Sequence, residues 1–294
     1  MKLQTFIWSQ KMPRNDFAVF ILSHGRANRV YTHKLLQNFG YTGKYYIVLD
    51  DQDTTADDYR KRFGDRVVVF DKLKAAEITD TMDNEPHQRG VVFARNYCWT
   101  IAKELGLDYF MVLDDDYTNI QHITNERHNS QDKTILCRNL DRLFEAMVDF
   151  VENTPVHTLA MGQGGDYAGG QGWEKPKRKA MNSFVCATDR PFRFNGRINE
   201  DVNAYVTLGC QGKIFLSQMK TSVVQKITQT NPGGLTELYL DSGTYVKSFF
   251  SVVCHPSAVK VSVLRGQRHQ RLHHRVDWSK TAPKIISEEY RKCH

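Results

Sequence analysis

Tyr109-Phe-Met-Val-Leu-Asp-Asp-Asp116 is five apolar residues running straight into three carboxylates. A continuous apolar run of this length reads as a strand buried on both faces, because an amphipathic helix would interrupt it with polar residues. Three consecutive carboxylates repel one another. A divalent cation is the usual reason to collect them, since hard cations such as Mg²⁺ take oxygen ligands from a few carboxylates plus substrate phosphates. An acidic loop closing a strand is the plainer alternative, and the triplet alone leaves both open.

The same pattern recurs upstream. Phe17-Ala-Val-Phe-Ile-Leu22 predicts a strand, followed by the polar turn Ser23-His-Gly-Arg-Ala27 and a helix over 28–38. Tyr45-Tyr-Ile-Val-Leu49 predicts a second strand, ending in Asp50-Asp-Gln-Asp53. A helix over 56–63 leads to a third strand over 66–70, and a longer helix over 92–105 stops at Gly106. Alternating strands and helices with continuous apolar strands predict an α/β fold: a Rossmann-like, mostly parallel central sheet flanked by helices. Ligands of such sheets bind beyond the carboxyl ends of the strands, where the clusters 23–26, 50–53 and 114–116 fall.

Downstream the texture changes. A helix is expected around 138–151, then a glycine-rich loop over 162–172 and the basic run Lys175-Pro-Lys-Arg-Lys179. A strand follows over 184–187, a helix from Asn199-Glu-Asp201 to about Leu208, a strand over 214–216, and a helix followed by a strand over 238–253. The expected organisation is one main domain over 1–255, with halves at about 17–120 and 121–255, and a basic extension over 256–294.

The 294 residues carry 40 Lys+Arg against 33 Asp+Glu, a net charge of +7, and 40% are apolar, which excludes wholesale disorder. The longest apolar run near the start is six residues, against roughly 20 for a membrane span. Polar residues break up the first sixteen, so no export signal is expected. Six scattered cysteines without a C-x-x-C pair suit reduced thiols in a cytoplasm. Lys260, Arg265, Arg268, Arg271, Arg275 and Lys280 face one acid, Asp277, in the stretch 260–280. That run is either a solvated face or a seat for a polyanion. No G-x-x-x-x-G-K-[ST] exists, which disfavours a helicase or kinase.

Taken in order, these elements resemble the glycosyltransferase A fold. Val112-Leu-Asp-Asp-Asp116 matches its D-x-D strand end, and Ala94-Arg-Asn96 the element that opens the preceding helix. Ser23-His-Gly-Arg26 matches the turn after strand one, Asp50 or Asp51 the acid that contacts the uridine, and Asn199-Glu-Asp201 the x-E-D of inverting members. More narrowly, Phe20-Ile-Leu-Ser-His-Gly-Arg26, Leu-Asp-Asp-Asp and Asn-Glu-Asp are similar to the TET-associated glycosyltransferases. Those are bacteriophage enzymes inferred to glycosylate hydroxymethylated pyrimidines in DNA.

The resemblance implies an inverting transfer from a UDP-sugar to 5-hydroxymethylcytosine in DNA, with Mn²⁺ or Mg²⁺ held near Asp114 and Asp116 to neutralise the leaving diphosphate. Asp115 is expected to reach the ribose or the sugar. Asp201 is expected to be the base that takes the acceptor proton, with Glu200 second, although acids also favour a helix N-terminus for electrostatic reasons alone. Ser23, Arg26, Arg95 and Asn96 are expected to steady the nucleotide or its diphosphate, arginine being suited to phosphate. His255 is a candidate further metal ligand, with His269, His273 and His274 as rivals. Tyr167 and Trp173 are candidates for holding a flipped base. The alternatives are the same fold acting on a glycan, lipid or protein, and a non-catalytic DNA-binding module. No membrane partner is expected.

Overall fold

The computed structural model describes residues 13–128, 131–163, 182–226, 244–265 and 270–283. The first half alternates as expected: β1 (Phe17–Leu22), α1 (Tyr31–Asn38), β2 (Lys44–Asp50), α2 (Ala56–Phe63), β3 (Val67–Phe70), α3 (Lys72–Glu77), α4 (Val92–Glu104) and β4 (Tyr109–Asp114). The second half comprises β5 (Tyr117–His128), β6 (Gln131–Leu136), α5 (Leu140–Glu152), β7 (Val156–Gly162), β8 (Phe184–Ala187), α6 (Glu200–Cys210), β9 (Ile214–Gln225), α7 (Thr244–Cys254), β10 (Val259–Arg265) and β11 (Gln270–Val276).

Nine strands form one sheet in the order β3-β2-β1-β4-β8-β7-β9-β5-β6. From β3 to β4 all neighbours are parallel. Beyond β4 the sheet is mixed: β8 is antiparallel to both β4 and β7, β7 is parallel to β9, and β5 is antiparallel to β9 and β6. Helices cover both faces, which is why the strands lack polar alternation. Val19, Ile21, Ile47, Leu49, Met111 and Leu113 meet α1, α2 and α5 on one side. Ala18, Phe20, Val48, Phe110 and Val112 meet α4 and α6 on the other. Successive side chains of one strand thus feed two separate cores.

Two stretches differ from the sequence expectation. The β5–β6 hairpin and β7 were not legible, because β5 mixes Ile120 and Ile123 with exposed or half-buried polar residues and β6 forms the sheet edge with Ile135 exposed. Where a helix followed by a strand was expected over 238–253, residues 244–254 are helical throughout; residues 238–243 lie outside the described residues. The valines near its end are compatible with a strand locally, but burial of Ser248 and Ser251 gives that segment a helical inner face. The basic stretch expected as an extension after 256 includes the β10–β11 hairpin, with Ala258 and Val259 buried in the second core and Trp278 5.5 Å from the Tyr205 ring.

One glycine controls how the chain enters α6. Gly196 has φ +87°, and an added Cβ would lie 2.2 Å from Asn203 Nδ2 and 3.0 Å from the Phe250 ring. Gly196→Ala should therefore destabilise the protein by at least the ~1–3 kcal/mol of such backbone strain, measured by urea unfolding. An unchanged midpoint would show that this turn relaxes freely.

Candidate active site

The carboxyl ends of β1, β2 and β4 lie side by side, Arg95 links the β4 end to the first turn of α6, and the acidic triplet is divided between two sides there. Asp115 points toward the β1 turn. Its Oδ2 accepts a hydrogen bond from Ser23 Oγ at 2.5 Å, and its Oδ1 lies 3.0 Å from Arg26 Nη1. The start of α1 holds its backbone, with Tyr31 N–H and Thr32 N–H donating to the Asp115 carbonyl at 2.7 and 3.2 Å. Tyr59 on α2 completes this clamp: its hydroxyl is 2.7 Å from Ser23 Oγ and accepts from Arg26 N–H at 2.7 Å. Asp115 is 3% exposed. Both of its oxygens are engaged inside the protein, by Ser23 and Arg26. Ser23 and Arg26 serve that clamp in this geometry.

Asp114 points to the other side, toward α4. Its Oδ1 is 3.6 Å from Arg95 Nη2, and Arg95 Nη1 pairs with Glu200. Arg95 lies between the Phe184 and Phe194 rings, 5.8 Å from each centroid. Burial opposes its charge, but Glu200, Asp114 and Asp201 outweigh burial and keep the guanidinium cationic. Asn96, expected near the nucleotide, is fully buried and turned away. Its Nδ2 donates to Thr79 Oγ1 and the Phe194 carbonyl, and its Oδ1 accepts from Phe194 N–H. An amide bonded in this way fixes the Phe194 segment.

Asp116 is the free member of the triplet. Its Oδ1 is buried and has no hydrogen-bond partner among the described residues. Burial, then the charges of Asp114 and Asp115, push its carboxyl up to about 7. Burial also raises Asp114 and Asp115, against the opposing pull of Arg95 and Arg26 respectively. An unpartnered buried carboxylate oxygen beside two further acids fits a divalent cation. No three His, Cys, Asp or Glu side chains converge among the described residues. Mg²⁺ commonly needs only one or two carboxylates, with substrate phosphates and water completing the shell.

The end of β2 supplies a second acidic cluster. Asp50 accepts from His24 Nδ1 at 2.8 Å and Lys72 Nζ at 3.1 Å. Burial works against its ionisation, but these two partners hold it below the usual carboxylate range. Asp51 is exposed and, among the described residues, its side chain accepts only the Lys72 backbone N–H, at 3.0 Å. Asp53 receives the Gly25 N–H at 2.8 Å, in a turn where Gly25 has φ +66°. Of the two acids expected at a uridine, Asp51 is thus the freer.

At the start of α6, Asn199 has φ 54° and makes no side-chain capping bond. Its Nδ2 instead donates to the Lys247 carbonyl and Ser251 Oγ of α7, at 2.7 and 3.1 Å. Glu200 is buried at 8% exposure against Arg95, whereas Asp201 is half-buried and has no side-chain hydrogen bond among the described residues. His255 is not brought to the aspartates. Its Nε2 lies 3.2 Å from Thr207 Oγ1, seven residues along α6 from Glu200, or about 10 Å at 1.5 Å per residue. His273 and His274 stand on β11. His269, Tyr167, Trp173 and the 175–179 cluster lie outside the described residues.

Sequence reasoning missed Tyr59, Thr32, His24, Lys72 and Lys226. Thr32 Oγ1 donates to the Asp114 carbonyl at 2.5 Å and accepts from Tyr117 N–H at 3.0 Å. Lys226 donates its backbone N–H to the Asp116 carbonyl at 3.1 Å, and its ammonium lies 3.7 Å over the Tyr31 ring. His24 stands inside the Ser23–Arg26 turn already singled out; the other four carry no signal in their own neighbourhood of sequence. Tyr59→Phe should strip the clamp of one acceptor and leave Arg26 N–H unsatisfied, lowering stability by about 1–3 kcal/mol in urea unfolding. A variant as stable as the parent would mean that the phenol is dispensable to the clamp.

No curated protein matches the chain. Similar solved structures include glucosyl-3-phosphoglycerate synthase from Mycobacterium tuberculosis in complex with Mn²⁺ and UDP-glucose. It has 12% identity and a TM-score of 0.46, with 87% of this chain and 85% of that chain covered. Another is the mannosyltransferase PcManGT from Pyrobaculum calidifontis in complex with GDP-Man and Mn²⁺, at 11% identity and a TM-score of 0.40, covering 71% and 55%. A third is mannosyl-3-phosphoglycerate synthase from Rubrobacter xylanophilus, at 12% and 0.36, covering 89% and 86%. The sequence profile of the TET-associated glycosyltransferases matches residues 17–234, from the first residue of β1 to beyond the end of β9. That span takes in both acidic strand ends and the start of α6, and the chain belongs to the TET-associated glycosyltransferase family: it is a glycosyltransferase.

Proposed function

We propose that this glycosyltransferase moves a sugar from a UDP-sugar to a hydroxymethylated pyrimidine, 5-hydroxymethylcytosine, in DNA, with inversion at the anomeric carbon. The observation that carries the donor half of this reading is the unpartnered buried oxygen of Asp116 beside Asp114. These two residues would hold Mn²⁺ or Mg²⁺. The cation, when bound, would neutralise the diphosphate that leaves with the nucleoside. Asp51 and the β1 turn lie at the strand ends where the nucleotide of such a sheet binds.

Asp201 is the base. Glu200 is buried in an ion pair, so of the two acids Asp201 is the one free to accept the proton of the acceptor hydroxyl. With Asp201 as base and no protein nucleophile intervening, displacement is direct and the configuration inverts. The acceptor half rests on the family and on charge. Lys260 and Arg275 are exposed and directly opposite one another on the β10–β11 hairpin. Like charges so placed destabilise a hairpin unless an anion lies over them. A DNA backbone fits that need, whereas a neutral glycan does not.

The assay is incubation of the full chain with hydroxymethylated DNA and a panel of nucleotide-sugars, read by the mass of the digested nucleosides. Transfer should require a UDP-sugar, stop in excess chelator and resume with Mn²⁺ or Mg²⁺. Asp201→Asn should slow it by ~10²–10⁴-fold, the usual share of general base catalysis. Full turnover in chelator, or a near-parental Asp201→Asn, would remove the corresponding assignment; modification of a glycan or protein in place of DNA would replace the acceptor.

Neutralising Arg265, Arg268, Arg271 and Arg275 together should weaken DNA binding at every sequence and flatten its salt dependence. Each lost phosphate contact should remove roughly 0.9 from the log–log slope on duplex DNA. Parallel salt titrations of equal affinity would exclude this stretch as a DNA contact.

A further inference from the structure

Arg95 is among the largest fully buried side chains, and at 2% exposure it has no surface to offer a ligand. The sequence placed it at the nucleotide; the geometry points elsewhere. Its Nη1 pairs with Glu200, the first residue of α6, and its Nη2 approaches Asp114, the last residue of β4. Its Nε has no partner among the described residues. Moving a guanidinium out of water is costly, and an apolar side chain would fill the space between Phe184 and Phe194 without that penalty. What an apolar side chain would not do is tie together two carboxylates that arrive from opposite halves of the molecule.

We propose that Arg95 and Glu200 form one positioning unit that sets the separation between the donor-side carboxylate Asp114 and the acceptor-side base Asp201, and that neither touches donor or acceptor. Glu200 is rigidly placed because it opens a helix whose entry is fixed by Asn199 on α7 and by the crowded turn at Gly196. Asp201 is its covalent neighbour, so a shift of Glu200 moves the base. This inference rests on the reading of Asp201 as the base, and its test is built so that the two can fail separately.

The test is a double-variant cycle in the full-length enzyme: Arg95→Lys, Arg95→Met, Glu200→Gln, and Arg95→Met with Glu200→Gln. Each single change should lower kcat by about 10²-fold, the scale on which a base displaced by an ångström loses rate. The calorimetric affinity for UDP measured without metal, which does not depend on Asp114, should hold near the parental value. The double variant should be no slower than the slower single, as for residues acting as a unit. In urea unfolding without metal, Arg95→Met alone should be less stable than the double variant, because it strands Glu200 as a buried unpaired charge.

Additive losses in kcat would overturn the pairing. A folded Arg95→Lys that loses UDP affinity would make Arg95 a nucleotide ligand. An inactive Glu200→Gln beside a near-parental Arg95→Lys would make Glu200 the base itself. Should Arg95→Met fail to fold, the cycle of Arg95→Lys with Glu200→Gln decides the matter on rates alone. An unaffected Asp201→Asn would reject the base assignment, while the non-additivity of Arg95 and Glu200 would still report on the pair.

Discussion

The alternation of side chains along β4 is the constraint from which the site follows. Consecutive residues of a strand point to opposite faces, so a row of acids at its end is sorted as it leaves the sheet. Asp115 continues the face of Leu113 and Met111 and meets Tyr59 and the β1 turn. Asp114 continues the face of Val112 and Phe110 and meets Arg95. Asp116 follows in the turn between β4 and β5, so three identical residues in succession receive three different environments: one clamped, one beside a buried cation, and one left with an oxygen unpartnered. The chemistry assigned to the triplet depends on that sorting, since three equivalent acids would only repel.

Charge balance sets the character of the pocket. Asp114, Asp115, Asp116, Glu200 and Asp201 are opposed by Arg26 and Arg95, and burial weakens the screening between them. Among the described residues this leaves more acids than cations, with Asp115 and Glu200 buried and the others partly so. Burial raises the carboxyls of Asp114, Asp115, Asp116 and Glu200, and a cation would relieve that cost. The two arginines do not cancel the surplus; they fix where it sits. Arg26 anchors the middle acid on the β1 side, and Arg95 joins the end of β4 to the start of α6.

The second half of the sheet brings the start of α6 to the acidic triplet through less regular means. An antiparallel β8 next to β4 reverses the chain, so that the segment around Phe194 returns over α4 and is fastened there by Asn96. Arg197 then gathers the preceding connection, donating to Asp83 and to the carbonyls of Glu85, His87 and Arg89. These contacts deliver Asn199 to α7 and set the first turn of α6. No helix among the described residues is long and apolar enough to cross a membrane.

The sequence by itself determined the parallel half of the fold and the positions of the acidic clusters, because continuous apolar runs and their polar ends are local properties. It placed Ser23, Arg26, Asp50, Asp114–Asp116, Arg95 and Asn199–Asp201 at strand ends or helix starts, and the structure keeps them there. What each side chain faces was decided only by tertiary structure. Asn96 and Arg95 are neighbours on one helix, yet one secures the Phe194 segment and the other bridges two carboxylates. Tyr59 reads as an ordinary core residue of an amphipathic helix until β1 is laid beside it. The β5–β6 hairpin, β7 and the packing of β10–β11 escaped sequence reading for the same physical reason: their apolar faces are completed by residues far away in the chain, so no local period announces them.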